Sequence, residues 1–393
     1  MIRAPLGFSF LSTPAGFRYT GRKDLGFILS RSPAAATGVF TTNRFLAAPV
    51  LVSKDHLHTS PWARAILVNA GQANACTGEE GLLACRQTCQ LTARAFGLKA
   101  EEILPASTGV IGQGMDLSIW EKEVAALAAD QEGNDPLGVA RSILTTDTFP
   151  KILWREVPLS GGMVSLLGLA KGSGMICPHM ATMLAFICCD VSLEPSKWQD
   201  MIRYAADRSF NRISVDGDTS TNDCLLGLAN GQSGVNLKEK EVDVFREELT
   251  ELCRELAYLI VQDAEGGTKV VRIRVSGARD ASQAETAART VAHSPLVKTA
   301  MFGRDPNWGR IVAALGRCGA EFDSNQVRVC IAGREVFSQG TPAQADIDGL
   351  LAPFLARQEI PVDITLGRGE GEYEILTSDL SVDYVRINAE YRS

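Results

Sequence analysis

Four short segments of this 393-residue chain concentrate the side chains and glycines that chemistry needs. The run from Lys171 to Thr182 places a lysine and two glycines ahead of a Cys177-Pro178-His179 turn and ends on a threonine at the mouth of an apolar stretch. A threonine hydroxyl is a weak nucleophile without an adjacent base, and an N-terminal threonine carries one, its own α-amine, with a pKa of roughly 7.7–8.0. Thr182 gains that amine only if the Ala181–Thr182 bond is broken, by an N→O acyl shift of its own hydroxyl followed by hydrolysis. A threonine that merely starts a strand accounts for the same residues.

The run Pro105-Ala106-Ser107-Thr108-Gly109-Val110-Ile111-Gly112 is small and glycine-containing, suited to presenting backbone N–H groups to an oxyanion. A plain turn between helix and strand reads equally well. Thr145-Thr146-Asp147-Thr148-Phe149-Pro150-Lys151 sets hydroxyls around one carboxylate, which suits a polar ligand or a solvated, self-capping turn. Ser214 to Asp223 carries Asp216, Asp218 and Asp223, but the spacing misses the calcium-loop pattern, so a tight turn competes with a metal there. No metal site is expected.

Other signals are weaker. Gly367-Arg368-Gly369-Glu370-Gly371 neither follows a clear strand nor opens a helix, and no GxxxxGK[ST] loop occurs. Cys177 and His179 lie two apart without an orienting acid; His56, His58 and His293 lack ligand-like partners. The ten cysteines form no CxxC pair and read as reduced core thiols, with Cys85 and Cys89 one helical turn apart.

The elements that must position these segments follow from hydrophobic period. Ala65–Val68 reads as a buried strand ending in a turn at Asn69-Ala70-Gly71, and Glu79–Phe96 as a helix. Thr182–Cys189 is almost wholly apolar, as a strand buried on both faces would be. Pro195 opens a helix with Trp198, Met201, Ile202 and Ala205 on one face. A longer helix runs over 242–264, with Phe245, Leu249, Leu252, Cys253, Leu256 and Leu259 in a stripe. Residues 271–275 and 327–331 alternate as half-exposed strands, and the small, polar stretch 278–284 between them predicts a soft domain boundary. Strands and helices of similar weight suggest a layered α/β or α+β protein.

Composition bounds the function. With 45% hydrophobic and 22% charged residues the chain is globular, and 39 basic against 46 acidic residues argue against a nucleic-acid partner. No apolar run approaches roughly 18 residues, and neither a secretory signal nor a lipidation pattern is evident, so a cytoplasmic protein without a membrane partner is expected.

Lys-Gly-Ser-Gly-Met-Ile-Cys-Pro-His-Met-Ala-Thr-Met-Leu-Ala-Phe at 171–186 resembles the self-cleavage segment of the ornithine acetyltransferase family, the glutamate N-acetyltransferases of arginine biosynthesis. The resemblance extends over nearly the whole chain, at 40–50, 68–78, 105–112, 145–151, 214–223, 262–269, 298–311 and 383–393. It implies an α+β fold, a layered αββα-type sandwich with a smaller C-terminal α/β domain. Residues 1–181 would form the first chain and begin the sandwich, 182–280 would complete it, and 281–393 would form the smaller domain with its tail returning to the active site.

The resemblance further implies cleavage between Ala181 and Thr182, with Thr182 then taking the acetyl group from N2-acetylornithine and passing it to glutamate in a ping-pong exchange. Thr108 and Gly109 would stabilise the oxyanion, and Thr145, Lys171, Thr182, Glu265, Asn388 and Ser393 would bind substrate. No cofactor is implied, although acetyl-CoA is a further donor used by some members, and the family suggests an assembly of two of each chain. His179 stands where an asparagine is expected and Gly267 where an alanine is usual; the glycine should loosen its loop. An N-terminal-nucleophile aminopeptidase of the same superfamily and a catalytically silent amino-acid-binding module are the alternatives.

Overall fold

The computed structural model describes residues 2–130, 133–174, 183–343 and 347–390. The described residues divide into two units, the first containing those of 2–211 and 218–260, the second those of 212–217 and 261–390.

The first unit is built on one long ladder. Its elements are β1 (Phe8–Thr13), β2 (Leu25–Phe40), α1 (Ala48–Thr59), β3 (Trp62–Gln72), α2 (Gly78–Phe96), β4 (Ile103–Val110), α3 (Leu117–Ala129), α4 (Pro136–Ser142), β5 (Lys151–Leu159), β6 (Gly162–Lys171), β7 (Leu184–Cys189), α5 (Pro195–Asp207), β9 (Cys224–Ala229) and α6 (Val242–Gln262), which carries the chain into the second unit. The strands run in the order β4-β3-β2-β9-β7-β6-β5, with β1 paired beside β2. The pairing of β2 with β3 shifts register between Leu29 and Ala34. Before that irregularity β2 pairs with β1 and β3; after it, briefly with β3 at Ala34 and Ala35, and with β9 from Ala35 to Phe40.

The two arms that result share one core. Phe10, Ile28, Ile66, Val68 and Leu104 of the first arm cluster with Leu167, Leu169, Phe186, Cys188 and Leu226 of the second. Alternation sends the neighbouring residues outward. Phe27, Leu67 and Ile103 therefore pack against α1, α2 and α3 through Val52, Cys85, Cys89, Trp120 and Val124. Over the second arm lies α5, with Trp198, Met201, Ile202 and Ala205 buried, and α6, which passes so close that a methyl on Gly168 would meet Leu256 Cδ1 at 2.6 Å. Helices, two sheet arms and helices are the expected αββα layers. The apolar stripe of α6 is buried as its period predicts, except that Ile260 and Val261 are enclosed while Leu259 is only half-buried.

The second unit carries β8 (Ile213–Ser214), β10 (Val270–Ala278), α7 (Ala281–Ala292), α8 (Pro295–Phe302), α9 (Trp308–Gly316), β11 (Arg328–Ile331), β12 (Arg334–Ser338), β13 (Thr341–Pro342), α10 (Ile347–Leu355), β14 (Glu359–Thr365), β15 (Gly371–Ser378) and α11 (Val382–Glu390). Its sheet runs β13-β12-β11-β14-β10-β15-β8. Val271, Ile273 and Val275 face a core shared with Ala284, Ala288 and Val291 of α7.

The soft boundary expected at 278–284 is not a boundary. Strand β10 is paired on both edges, with β14 and β15, and Asp280 caps α7 by accepting from the Gln283 N–H, so this stretch is a strand-to-helix connection. The division falls near Val261 instead, because β8 and every strand from β10 onward pair in the second sheet. Among the described cysteines Cys76 is exposed, against the expectation of core thiols; the others are buried. The Cys85 thiol is pushed well up by its hydrogen bond with Cys89 and by burial. Among the described residues no helix is long and apolar enough to cross a membrane.

Candidate active site

Lys171 is the last residue of β6 and is 2% exposed. Its ammonium gathers side chains from separate parts of the chain. Nζ donates to Thr145 Oγ1 at 2.9 Å, stands 3.5 Å from Thr108 Oγ1 of β4, and lies 3.8 Å from Asp147 Oδ2. The Asp147 side chain is wholly enclosed. It accepts from Lys151 Nζ at 2.7 Å, from the Gly172 N–H at 3.0 Å and from the Thr145 N–H at 3.2 Å. Burial alone would raise this carboxyl; Lys171, Lys151 and the hydrogen bonds outweigh it and hold Asp147 below the usual carboxylate range. The Asp147 and Lys151 side chains are thus withdrawn from solvent, although Thr148 is exposed and 145, 146, 149 and 150 are half-buried. With Lys171 they form a buried ion cluster in which two ammoniums meet one carboxylate, a surplus of positive charge suited to an anionic substrate group.

The segment 105–112 is also not a turn between helix and strand. Through Val110 it is β4, paired parallel with β3, with Thr108 opposite Ala70 and Gly109 opposite Gly71. Gly109 has φ +129°, and a Cβ there would lie 2.3 Å from the Gly71 carbonyl carbon, so no other residue fits. Strand β4 therefore ends in a turned-out backbone beside the Thr108 hydroxyl, which itself faces Lys171.

Strand β7 reaches the same place. Lys171 pairs with Leu184, so the chain enters β7 alongside the lysine. The Met183 N–H donates to Asp223 Oδ1 at 2.8 Å. Beside Asp223, the buried Asn222 donates from Nδ2 to Ser107 O at 2.9 Å and to Ala73 O at 2.6 Å. Segment 219–223 is itself pinned to 41–47, through Thr41 Oγ1 to Ser220 O, Asn43 Nδ2 to Thr219 O and Ala47 N to Thr221 O.

In the second unit Asn388 of α11 donates to Glu265 Oε2 at 2.9 Å. Tyr384 Oη donates to Asp216 Oδ2 at 3.1 Å, and Ser381 Oγ bonds Gly266 O, so the last helix is tied to the 265–267 loop. That loop is tight at Gly267. Its N–H bonds Ala264 O at 2.8 Å, and an alanine methyl would stand 3.2 Å from Ala264 Cβ.

Thr108, Gly109, Thr145 and Lys171 are thus brought together within the first unit, and Glu265 and Asn388 within the second. Ala181, Thr182, Ser393, His179 and Cys177 lie outside the described residues. Sequence reasoning missed the roles of Asp147, Lys151, Asn222 and Asp223. Their residue types were visible, but burial, which turns a polar loop into an organised site, was not.

Residues 9–393 match the ArgJ family. The chain is similar, at 53% identity over the whole of both chains, to the arginine biosynthesis bifunctional protein ArgJ of Nitratidesulfovibrio vulgaris. It is 43% identical to the protein of the same name from Thermosynechococcus vestitus, over 99% of this chain and 97% of that one. Among solved structures it resembles the arginine biosynthesis bifunctional protein argJ of Bacillus halodurans, at 33% identity and a TM-score of 0.50, over 52% of this chain and 98% of that one.

Proposed function

The chain belongs to the ArgJ family, and from that premise we propose that it is a self-processing acetyltransferase that moves the acetyl group of N2-acetylornithine to glutamate. The observation that carries the reading is the convergence on Lys171 of Thr108, Thr145 and the entry to β7. Cleavage at Ala181–Thr182 gives chains of 181 and 212 residues and frees the Thr182 amine. The solved relative from Bacillus halodurans is covered almost completely by 52% of this chain, a length comparable with either product. The products stay together because strands from both alternate in one sheet: β6 and β2 of the first flank β7 and β9 of the second.

The chemistry follows from the groups at hand. The Thr182 amine takes the hydroxyl proton as Oγ1 attacks the acetyl carbonyl. The oxyanion that forms is stabilised by the Thr108 hydroxyl and the Gly109 N–H, donors of a kind worth about 10²–10³ in rate each. Collapse returns the proton to the departing amine of ornithine and leaves an acetyl ester on Thr182. Glutamate then repeats the sequence in reverse and leaves as N-acetylglutamate. Lys171, beside Thr145, receives a substrate carboxylate. Glu265 and Asn388, hydrogen-bonded to each other, and Ser393 are the further substrate-binding residues that membership of the family implies. Acetyl-CoA serves as a second donor by acylating the same hydroxyl, without a resident cofactor. The enzyme works in the cytoplasm as an assembly of two of each chain.

Intact mass under denaturing conditions tests the reading. Two species that break at Ala181–Thr182, and an acetyl increment on the second after incubation with N2-acetylornithine, are expected. A single unmodified chain, or a Thr182→Ala variant with normal turnover, refutes it. Acetate released in place of acetylglutamate would mark an aminopeptidase-like hydrolase.

A further inference from the structure

We propose that the dipeptide Asn222–Asp223 is a positioning clamp that holds the nucleophile's strand in register with the oxyanion strand; the role rests on Thr182 being the nucleophile. The argument begins from which peptide planes the two side chains grip. Ser107 O, which accepts from Asn222 Nδ2 at 2.9 Å, belongs to the peptide whose N–H is that of Thr108. Met183 N, which donates to Asp223 Oδ1 at 2.8 Å, belongs to the peptide that joins Thr182 to Met183. Adjacent side chains therefore fix the peptide just before the oxyanion threonine and the peptide just after the nucleophile.

Both residues are buried, Asn222 to 5% and Asp223 to 1% exposure. The Asn222 amide is fully committed: Nδ2 also donates to Ala73 O at 2.6 Å, and Oδ1 accepts from Thr221 Oγ1 at 2.7 Å. Ala73 N in turn donates to Val110 O, so the amide spans the ends of both β3 and β4. The Asp223 backbone is held too, its carbonyl accepting from Thr41 N at 3.0 Å, while the next residue, Cys224, donates from N to Met183 O at 3.2 Å and opens the β7–β9 ladder. The bonds that make the clamp run to Ser107, Ala73 and the Met183 N–H, backbone groups beside the reacting residues, so these are positioning residues. Misplacement of a reacting group by about 1 Å costs on the order of a hundredfold in rate.

The chemistry of the two contacts predicts opposite tolerance. At 222 the side chain must donate twice, so Asn222→Asp keeps the shape and loses the function. At 223 it must accept from an N–H, which an amide oxygen also does, so Asp223→Asn survives where Asp223→Ala does not.

The test uses the full-length protein and reads the extent of self-cleavage, kcat and KM for N2-acetylornithine, and hydrogen exchange over 105–110 and 183–186. Expected for Asn222→Ala and Asp223→Ala is a ten- to hundredfold loss in kcat or in cleavage rate, KM within about threefold of wild type, and faster exchange in both segments. Asp223→Asn should stay within about threefold throughout. Wild-type kcat together with wild-type cleavage rate in the alanine variants, a loss confined to KM, or unchanged exchange overturns the clamp. If Asn222→Ala does not accumulate as folded protein, the comparison of Asp223→Asn with Asp223→Ala decides alone. If the wild type itself transfers no acetyl group, the nucleophile reading fails, and the exchange data still decide whether the two peptides are gripped.

Discussion

Replacing Asp147 by asparagine keeps the shape of the side chain and removes one negative charge from a place that water does not reach. Lys151 Nζ would then face a neutral amide at 2.7 Å and Lys171 Nζ the other end of the same amide at 3.8 Å, with the Lys151 side chain fully enclosed and that of Lys171 3% exposed. Breaking a buried ion pair by removing one partner typically costs about 3–5 kcal/mol, most of it the penalty of the charge left behind. In a unit of this size each kcal/mol shifts the melting midpoint by roughly 2–4 °C, so a fall on the order of 10 °C is expected by calorimetry. Transfer should suffer as well, because Lys171 would no longer be held between Thr145 and Asp147. The double variant Asp147→Asn with Lys151→Met should recover much of the lost stability, since it removes the orphaned ammonium along with its partner. A midpoint within about 2 °C of wild type for the single variant, or no recovery in the double, would refute a buried cluster in which the carboxylate is the counter-charge. The pH profile gives a further check. Asp147 is held below the usual carboxylate range, so its contribution is complete above the unfolded pKa of about 3.9 and disappears as pH falls through the folded value. The variant should lack that acid-side loss.

Gly109→Ala should lower kcat by at least about a hundredfold, because the added methyl collides with the Gly71 carbonyl and the N–H is turned away; kcat within tenfold of wild type would exclude this backbone as oxyanion donor. Glu265→Gln should raise KM for N2-acetylornithine about tenfold while shifting stability by less than about 0.5 kcal/mol, because its contact with Asn388 is at the surface; a matching fall in melting temperature would mark the pair as structural. His293 is held down to about 4 by burial, with Arg289 and Lys298 adding repulsion, so between pH 6.5 and 4 the unfolded chain takes up a proton that the folded chain refuses. Stability should fall by about 3 kcal/mol as pH drops through that window, and His293→Gln should flatten the fall in acid denaturation curves.

The local elements were legible because each carries its own period. The stripe Trp198, Met201, Ile202, Ala205 is the buried face of α5, and the alternation of Val271, Ile273 and Val275 is the buried face of β10. Lys171 and Thr108 were legible for another reason: their surrounding motifs resemble a family whose chemistry needs those residue types. Composition could not show that the Asp147 and Lys151 side chains are enclosed, because an aspartate among threonines looks the same in water as in a core. Strand β6 brings Lys171 to Asp147 from 24 residues away along the chain. The domain boundary was misjudged for a related reason. Residues 278–284 are small and polar because a strand ends there and Asp280 caps a helix, and only the pairing of β10 with β14 and β15 shows on which side the chain belongs. Asn222 and Asp223 took their meaning from the third dimension alone, for their partners at Ser107 and Met183 are 115 and 40 residues distant. Short-range physics writes periods, caps and turns into the sequence. Which carbonyl an amide finds, and which lysine a carboxylate neutralises, depends on long-range strand pairing, and that is decided only when the whole sheet closes.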